Sequence, residues 1–284
     1  MPRYELTYPK EVHNTVKRYN SRATYALKTI HAIIDEAQLL HVSFQPDNSP
    51  FPAILPMIGA MGSFARPSAD SGDVLDLYLH GYVSSRLINI SRAKTGTEEG
   101  KEGAKDETPA GLPVTIAASH VDGLVLALSP NAHSYNYRSA VLFGYATVVT
   151  DVPEKLYAME KITNGVVPGR WSQTRVPPNN AEMQSTSVLK VRIVTGSAKF
   201  RTGNTHDERC DLDDESVLNS VWAGVLPVHT TLGNPIPAPY NRIKPIPEYL
   251  EQFRTDFNTR SHATAVEAAV EPTDGKMDTD LQDD

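Results

Sequence analysis

The sequence predicts a mainly β protein, a closed or nearly closed barrel with a few peripheral helices. Three observations carry that expectation. Six or more segments have strand character while few are helical, residues alternate apolar and polar along them, and closure removes the unpaired edges that so many strands would leave exposed.

Taken in order, Ile30, Ile33, Ile34 and Ala37 within Tyr25 to Gln38 follow the i, i+3, i+4, i+7 spacing of a helix with one buried face. Leu39 to Phe44 and Pro52 to Ala60 then read as strands of a hairpin around the Pro-, Asn- and Ser-rich turn Gln45 to Pro50. Leu75, Leu77 and Leu79 alternate with Asp76, Tyr78 and His80, and Ser84 to Ser91 has the character of a short helix. The stretch 92–111 is rich in Gly, Lys and Glu without large apolar residues, so it is expected to be a disordered insert. Strands resume at Leu112 to Val121 and Leu124 to Ser129, with Asp122-Gly123 between them as a tight hairpin turn.

Tyr137 to Val149 predicts a longer strand. Asp151 is the expected N-cap of a helix with Pro153 and Glu154 in its first turn, Leu156, Met159 and Ile162 on one face, and an end near Gly165. Thr186 to Thr195 alternates again, and Ser220 to His229 is a last apolar strand containing Trp222. A Pro-rich extension, 233–262, holds an amphipathic segment with Tyr249, Leu250, Phe253 and Phe257, and 263–284 is expected to be a disordered acidic tail. The remainder, 1–262, is read as one domain.

Composition narrows function. The net charge of −7 is concentrated at the end: from Ala263 onward seven acids (Glu267, Glu271, Asp274, Asp278, Asp280, Asp283, Asp284) face Lys276, a net of −6. A near-neutral body without a basic stripe gains little from counterion release, so no nucleic-acid partner is expected. No apolar run approaches the roughly 20 residues needed to span a bilayer, and MPRYELTYPKEV has no secretory apolar core, so no membrane partner and a cytoplasmic location are expected. Cys210 is the one cysteine, and the histidines lack ligand spacing, so no metal is expected.

Two stretches can carry chemistry. In LDLYLHGYVSSR a strand delivers His80 and then Ser84, Ser85 and Arg86 at a helix start. Unpaired backbone N–H groups, two hydroxyls and a guanidinium fork together suit a phosphate. The same residues also read as an ordinary serine cap followed by a solvent-facing arginine, and His80 as a strand-end side chain facing water. In SYNYRSAVLFG, Asn136, Arg138 and Ser139 offer hydrogen bonds to a heteroaromatic edge and Tyr137 a ring face or hydroxyl. Polar residues at a strand end facing solvent are the other reading.

The ordered set PAILPMIGAM, LYLHGYVSSR, HVDGLVLALS, NYRSAVLFGYATVV, VPGRW, SAKFRTG and VWAGVLP, over about residues 20 to 230, resembles the flavin-nucleotide-binding and nitroimidazole-resistance branch of the pyridoxamine-5′-phosphate-oxidase-like superfamily. The resemblance implies a split barrel, a homodimer and FMN in a groove between subunits. By it, Ser84, Ser85 and Arg86 lie at the FMN phosphate, the backbone of Pro56 and Met57 passes along the isoalloxazine, and Tyr137, Arg138 and Ser139 lie on the flavin-contacting strand. Trp222 approaches from the partner subunit, and His80 lies beside the flavin as a proton relay. The implied activity is an oxidoreductase passing hydride or electrons from NAD(P)H to a small-molecule substrate. A flavin carrier or sensor without turnover is the rival, and haem on the same barrel a third reading. The vitamin-B6 oxidases' Arg-rich substrate-binding C-terminus is missing, which argues against a typical pyridoxamine-phosphate oxidase.

Overall fold

The computed structural model describes residues 5–96 and 110–270. In chain order the elements are β1 (Ala23–Thr24), α1 (Leu27–Glu36), β2 (Leu40–Phe44), β3 (Ala53–Met57), β4 (Gly59–Gly62), β5 (Asp76–Tyr82), α2 (Arg86–Gly96) and β6 (Leu112–Leu126). There follow β7 (Ser134–Val148), α3 (Val152–Val166), α4 (Asn180–Ser185), β8 (Thr186–Arg201), α5 (Arg209–Leu212), α6 (Glu215–Leu218), β9 (Gly224–Pro227) and α7 (Glu248–Val270). The chain divides into two compact units: the chain before His120 with Ser139–Lys199, and His120–Arg138 with the chain from Phe200 onward.

The first unit is a mainly antiparallel sheet in the order β3-β2-β6-β7-β8-β5-β4, with β1 added to β8. This is the split-barrel architecture the sequence predicts, and its path is not closed by hydrogen bonds. Its two ends, β3 and β4, are instead consecutive in the chain. Met57 pairs with Leu40 of β2, Gly59 pairs with Leu79 of β5, and Ile58 alone lies between. The helical spacing of Ile30, Ile33 and Ile34 in α1 and the alternation of the strands bring these residues together with Leu40, Val42, Leu77, Leu79, Leu142 and Leu189 in one continuous core. Each such side chain contributes about 1.5–3 kcal/mol when fully buried.

One buried polar group tethers the N-terminal segment to this core. His31 is fully buried; its Nδ1 meets the Ser71 carbonyl at 2.8 Å and its Nε2 meets the Tyr8 hydroxyl at 2.7 Å. The pattern fits Nδ1–H donating to Ser71 and Nε2 accepting from Tyr8. Burial lowers the His31 pKa below its ordinary 6.5 and raises that of Tyr8. Between the folded and unfolded pKa values the unfolded chain binds more protons, so stability is fully present above about pH 6.5 and is lost as pH falls below it. Melting temperature is therefore expected to drop on acidification from about pH 7 to pH 5, and the drop to be shallower in His31→Gln. Identical slopes in the two proteins would remove His31 from this account.

Helix α3 starts as expected: Asp151 Oδ2 accepts the Glu154 N–H at 2.9 Å, with Pro153 in the first turn. Its buried face is Ala158 and Ile162, packed with Ala60, Tyr78, Val149 and Val188. Leu156 turns instead toward an outer groove.

Three expectations need correction. Asp122-Gly123 is no turn, because β6 runs unbroken through it and Gly123 pairs with Pro227 of β9. A Cβ on Gly123 would come within 2.8 Å of Val225 Cγ1, so the glycine serves the close approach of β9. The proposed insert begins later than expected, since α2 continues to Gly96; residues 97–109 lie outside the described residues. The tail expected from 263 is helical to Val270, because Ala265 and Ala268 are buried and the end of α7 is tied down. There the Ala268 carbonyl accepts from Gly203 N–H (2.7 Å) and Asn136 Nδ2 (2.8 Å). Residues 271–284 lie outside the described residues.

In the second unit, Asn258 of α7 also holds the start of the Pro-rich segment, accepting the Leu232 N–H at 2.7 Å and donating to its carbonyl at 3.0 Å. Phe253 and Phe257 are partly buried along the same helix. Among the described residues, no helix is long and apolar enough to cross a membrane.

Candidate functional site

The corner between β5 and α2 is built by backbone hydrogen bonds. Tyr82 pairs with Thr186, Val83 N–H donates to Ser185 O at 3.1 Å, and Ser85 N–H turns back to Tyr82 O at 2.9 Å. Ser85 Oγ lies 3.4 Å from the Ile88 N–H as acceptor, so Ser85 does cap α2. Capping leaves its hydroxyl proton available. Ser84 and Arg86 face a cleft of about 390 Å³, whose other wall is Pro46, Asp47 and Asn48 of the β2–β3 turn.

Electrostatics favour an anion there. Arg86 is exposed and no carboxylate pairs with it among the described residues, whereas Asp47 across the cleft is ion-paired with Lys94 at 3.2 Å. The N-terminal end of an 11-residue helix adds its partial positive charge at the same point. The cap reading of Ser85 is therefore compatible with an anion at the same corner, since capping uses the hydroxyl oxygen and leaves its proton and the Ser84 and Arg86 side chains facing the cleft.

His80 and the Pro56–Met57 strand come together through one hydrogen bond. His80 N–H donates to the carbonyl of Ile58 at 3.3 Å, just beyond the β4–β5 ladder, and Met57 and Pro56 precede Ile58 in the chain. The imidazole faces solvent, yet the surrounding strands desolvate it enough to lower its pKa, which keeps it neutral near pH 7. Among the described residues strand β3 ladders with β2 alone, so Pro56, which lacks an N–H, is tolerated on it. Ile54, Pro56 and Ile58 all stand exposed on one side of this edge.

The other predicted residues are placed differently. Ser139 Oγ donates to the Lys199 carbonyl at 3.0 Å and is thus committed to the β7–β8 pairing. Tyr137, Arg138 and Trp222 belong to the second unit. Arg138 makes a bidentate pair with the buried carboxylate of Asp122 (Nε–Oδ2 3.0 Å, Nη2–Oδ1 3.1 Å), a partner that a turn reading of Asp122 conceals. Tyr137 is partly buried. Trp222 lies outside any strand: β9 begins only at Gly224, and the indole, 62% exposed, folds over that glycine at φ +155°. Among the described residues, no three His, Cys, Asp or Glu side chains gather as metal ligands.

Residues 27–200 match the sequence pattern of the pyridoxamine 5′-phosphate oxidase family. The chain belongs to that family. The matched residues include the β5–α2 corner and, but for Arg201 at the end of β8, the seven strands on the path from β3 to β4, so the oxidase-family fold is the one that places Ser84, Ser85 and Arg86. Among solved structures, the flavocytochrome Anf3 from Azotobacter vinelandii is 29% identical with a TM-score of 0.63, and the match covers 86% of this chain and 97% of that one. The FAD and heme binding protein from Mycobacterium smegmatis is 24% identical, TM-score 0.63, covering 82% and 97%, and supports the fold. No curated protein matches. The chain is thus a member of the pyridoxamine 5′-phosphate oxidase family, similar in fold to a flavocytochrome.

Proposed function

We propose that this chain is a flavin-dependent oxidoreductase that holds the riboflavin-phosphate part of its cofactor at the Ser84–Ser85–Arg86 corner. The observation that carries the reading is Arg86: an exposed guanidinium without a carboxylate partner among the described residues, at a helix start beside two serines. A dianionic phosphate fits that set, with the Arg86 fork and Ser84 hydroxyl as donors. The flavin supplies hydride- and electron-accepting chemistry when bound. Strand β3 offers an edge unpaired among the described residues for the ring to lie along, and the neutral His80 imidazole beside Ile58 is suited to hold or pass a proton.

The reductant in this reading is NADH or NADPH, and the acceptor a small nitro- or quinone-like compound. The cofactor sits between two copies of the chain. Support for the dimer comes from the β3 edge and its approach, where Phe51 is 75% and Ile54 61% exposed, more apolar surface than an isolated edge strand ordinarily shows. A haem bound in addition to the flavin is a second reading, favoured by the 29% identity to a flavocytochrome along almost its whole length.

Purified protein is expected to be yellow, to release its flavin on heating, and to sediment as a dimer. Anaerobic NADPH or NADH should bleach the bound flavin. A preparation that is colourless and takes up no added flavin would overturn the proposal. A flavin that stays oxidised with both nucleotides would leave a carrier or sensor, and a Soret band would establish the haem.

A further inference from the structure

Three cations converge on one tyrosine ring near the start of the first unit. The Arg22 guanidinium carbon stands 4.4 Å from the Tyr19 ring centroid, that of Arg18 5.0 Å, and Lys199 Nζ 5.7 Å. Two features of the backbone bring them together. Ala23 of β1 pairs with Lys199 of β8, which sets the lysine beside Arg22. Tyr19 takes a left-handed backbone, φ +52° and ψ +56°, and its carbonyl accepts the Arg22 N–H at 3.1 Å, so that arginines on either side of it in the chain both reach its ring. It is the one non-glycine residue with positive φ among the described residues, a conformation that a bulky side chain adopts at a cost. Lys199 is fixed further: its Nζ donates to the Arg18 carbonyl at 2.7 Å, and its own carbonyl accepts from Ser139 Oγ at 3.0 Å.

The ring offsets only part of the repulsion that this arrangement creates, because cation–π attraction is weak where water reaches the pair and Tyr19 is 38% exposed. Among the described residues no carboxylate is ion-paired with Arg18 or Lys199. Burial first, then the charges of Arg22 and Arg18, hold the Lys199 ammonium below the usual lysine range. A polyanion would relieve that repulsion. A carboxylate would offset one of the three charges, whereas a condensed phosphate carries charge on every unit and its oxygens match the guanidinium forks and the remaining ammonium N–H bonds. The cations already stand at the Tyr19 ring, so recognition falls to the phosphate chain and not to stacking. The cluster is also separate from the β5–α2 corner. Thr186, which pairs with Tyr82 beside that corner, and Lys199 lie near opposite ends of β8. At about 3.3 Å per residue, the strand between them is on the order of 40 Å long.

We propose that Arg18, Arg22 and Lys199 form a second anion site, which takes a condensed phosphate: the phosphate chain of a nucleotide or a free polyphosphate. The site does not depend on the flavin reading, and its test disables the other anion cradle first. Full-length Arg86→Ala protein is titrated calorimetrically with sodium tripolyphosphate at low salt. Saturable binding is expected, and adding either Arg18→Ala or Lys199→Gln should weaken it at least about fivefold. Arg18 is exposed and lies outside the β1–β8 ladder, so its variant keeps the test decisive where Lys199→Gln disturbs folding. Arg18→Lys, which keeps the charge, should recover most of the loss. Sulfate at equal ionic strength should give no saturable heat. Adenosine triphosphate binding as tightly as tripolyphosphate would show that the phosphate chain suffices, and tighter binding would mark a nucleotide as the source. An Arg86→Ala protein that does not bind tripolyphosphate saturably, sulfate that binds as well, or affinity unchanged by the Arg18 and Lys199 variants would overturn the site.

Discussion

Asn136→Ala is expected to destabilise the second unit by about 2–4 kcal/mol, the largest stability loss for a single polar truncation proposed for this protein. The side chain is fully buried and uses every group it has. Its Nδ2 donates to the carbonyls of Gly203 (3.0 Å) and Ala268 (2.8 Å), and its Oδ1 accepts from Arg201 Nη1. Alanine removes all three bonds and takes an acceptor away from a guanidinium that is itself 3% exposed. Bonds to a charged group are worth about 1.5–3 kcal/mol and neutral ones about 0.5–1.5, but the two carbonyls keep other donors, which holds the sum near the stated range. Urea unfolding followed by circular dichroism measures it. A loss below about 1 kcal/mol would mean that Arg201 and α7 are anchored without Asn136.

The second large effect is on binding. Arg86→Ala is expected to weaken riboflavin-phosphate affinity by about one to two decades, or about 1.5–3 kcal/mol, the usual worth of a charge-assisted hydrogen bond. Because Arg86 is exposed and makes no ion pair among the described residues, folding should be unaffected, and the loss should be confined to phosphorylated flavins. Riboflavin itself, which lacks the phosphate, provides the control. If the variant lost riboflavin and riboflavin phosphate in equal measure, Arg86 would not be the phosphate's partner.

The parts of this fold that declare themselves in the sequence are those whose residues act locally. The isoleucine spacing of α1, the Asp151 cap and the strand-to-helix corner at Ser84–Arg86 each depend on neighbours within a turn or two, and each was legible. Asn179 and Glu182 form a capping box with the right spacing, a signal for α4 that was present and overlooked. What stayed hidden depends on distant segments. Gly123 reads as a turn residue until β9, a hundred residues later, is seen lying against it. The partners of Ser139 and Arg138, a strand carbonyl at Lys199 and the buried carboxylate of Asp122, likewise come from other segments of the chain. The end of α7 reads as a tail because small alanines make its contact. An Ala-rich run has high helix propensity, but it lacks the bulky apolar stripe by which burial is ordinarily recognised.

Ile58 couples two ladders that would otherwise be free to slide separately. Side chains along a strand repeat every second residue, so with a single residue between Met57 and Gly59 the inward phase of β4 against β5 follows from that of β3 against β2. Lengthening this joint by one position would turn Ala60 and Met61 inside out relative to Leu55 and Met57. At this point the length of the chain is set by geometry.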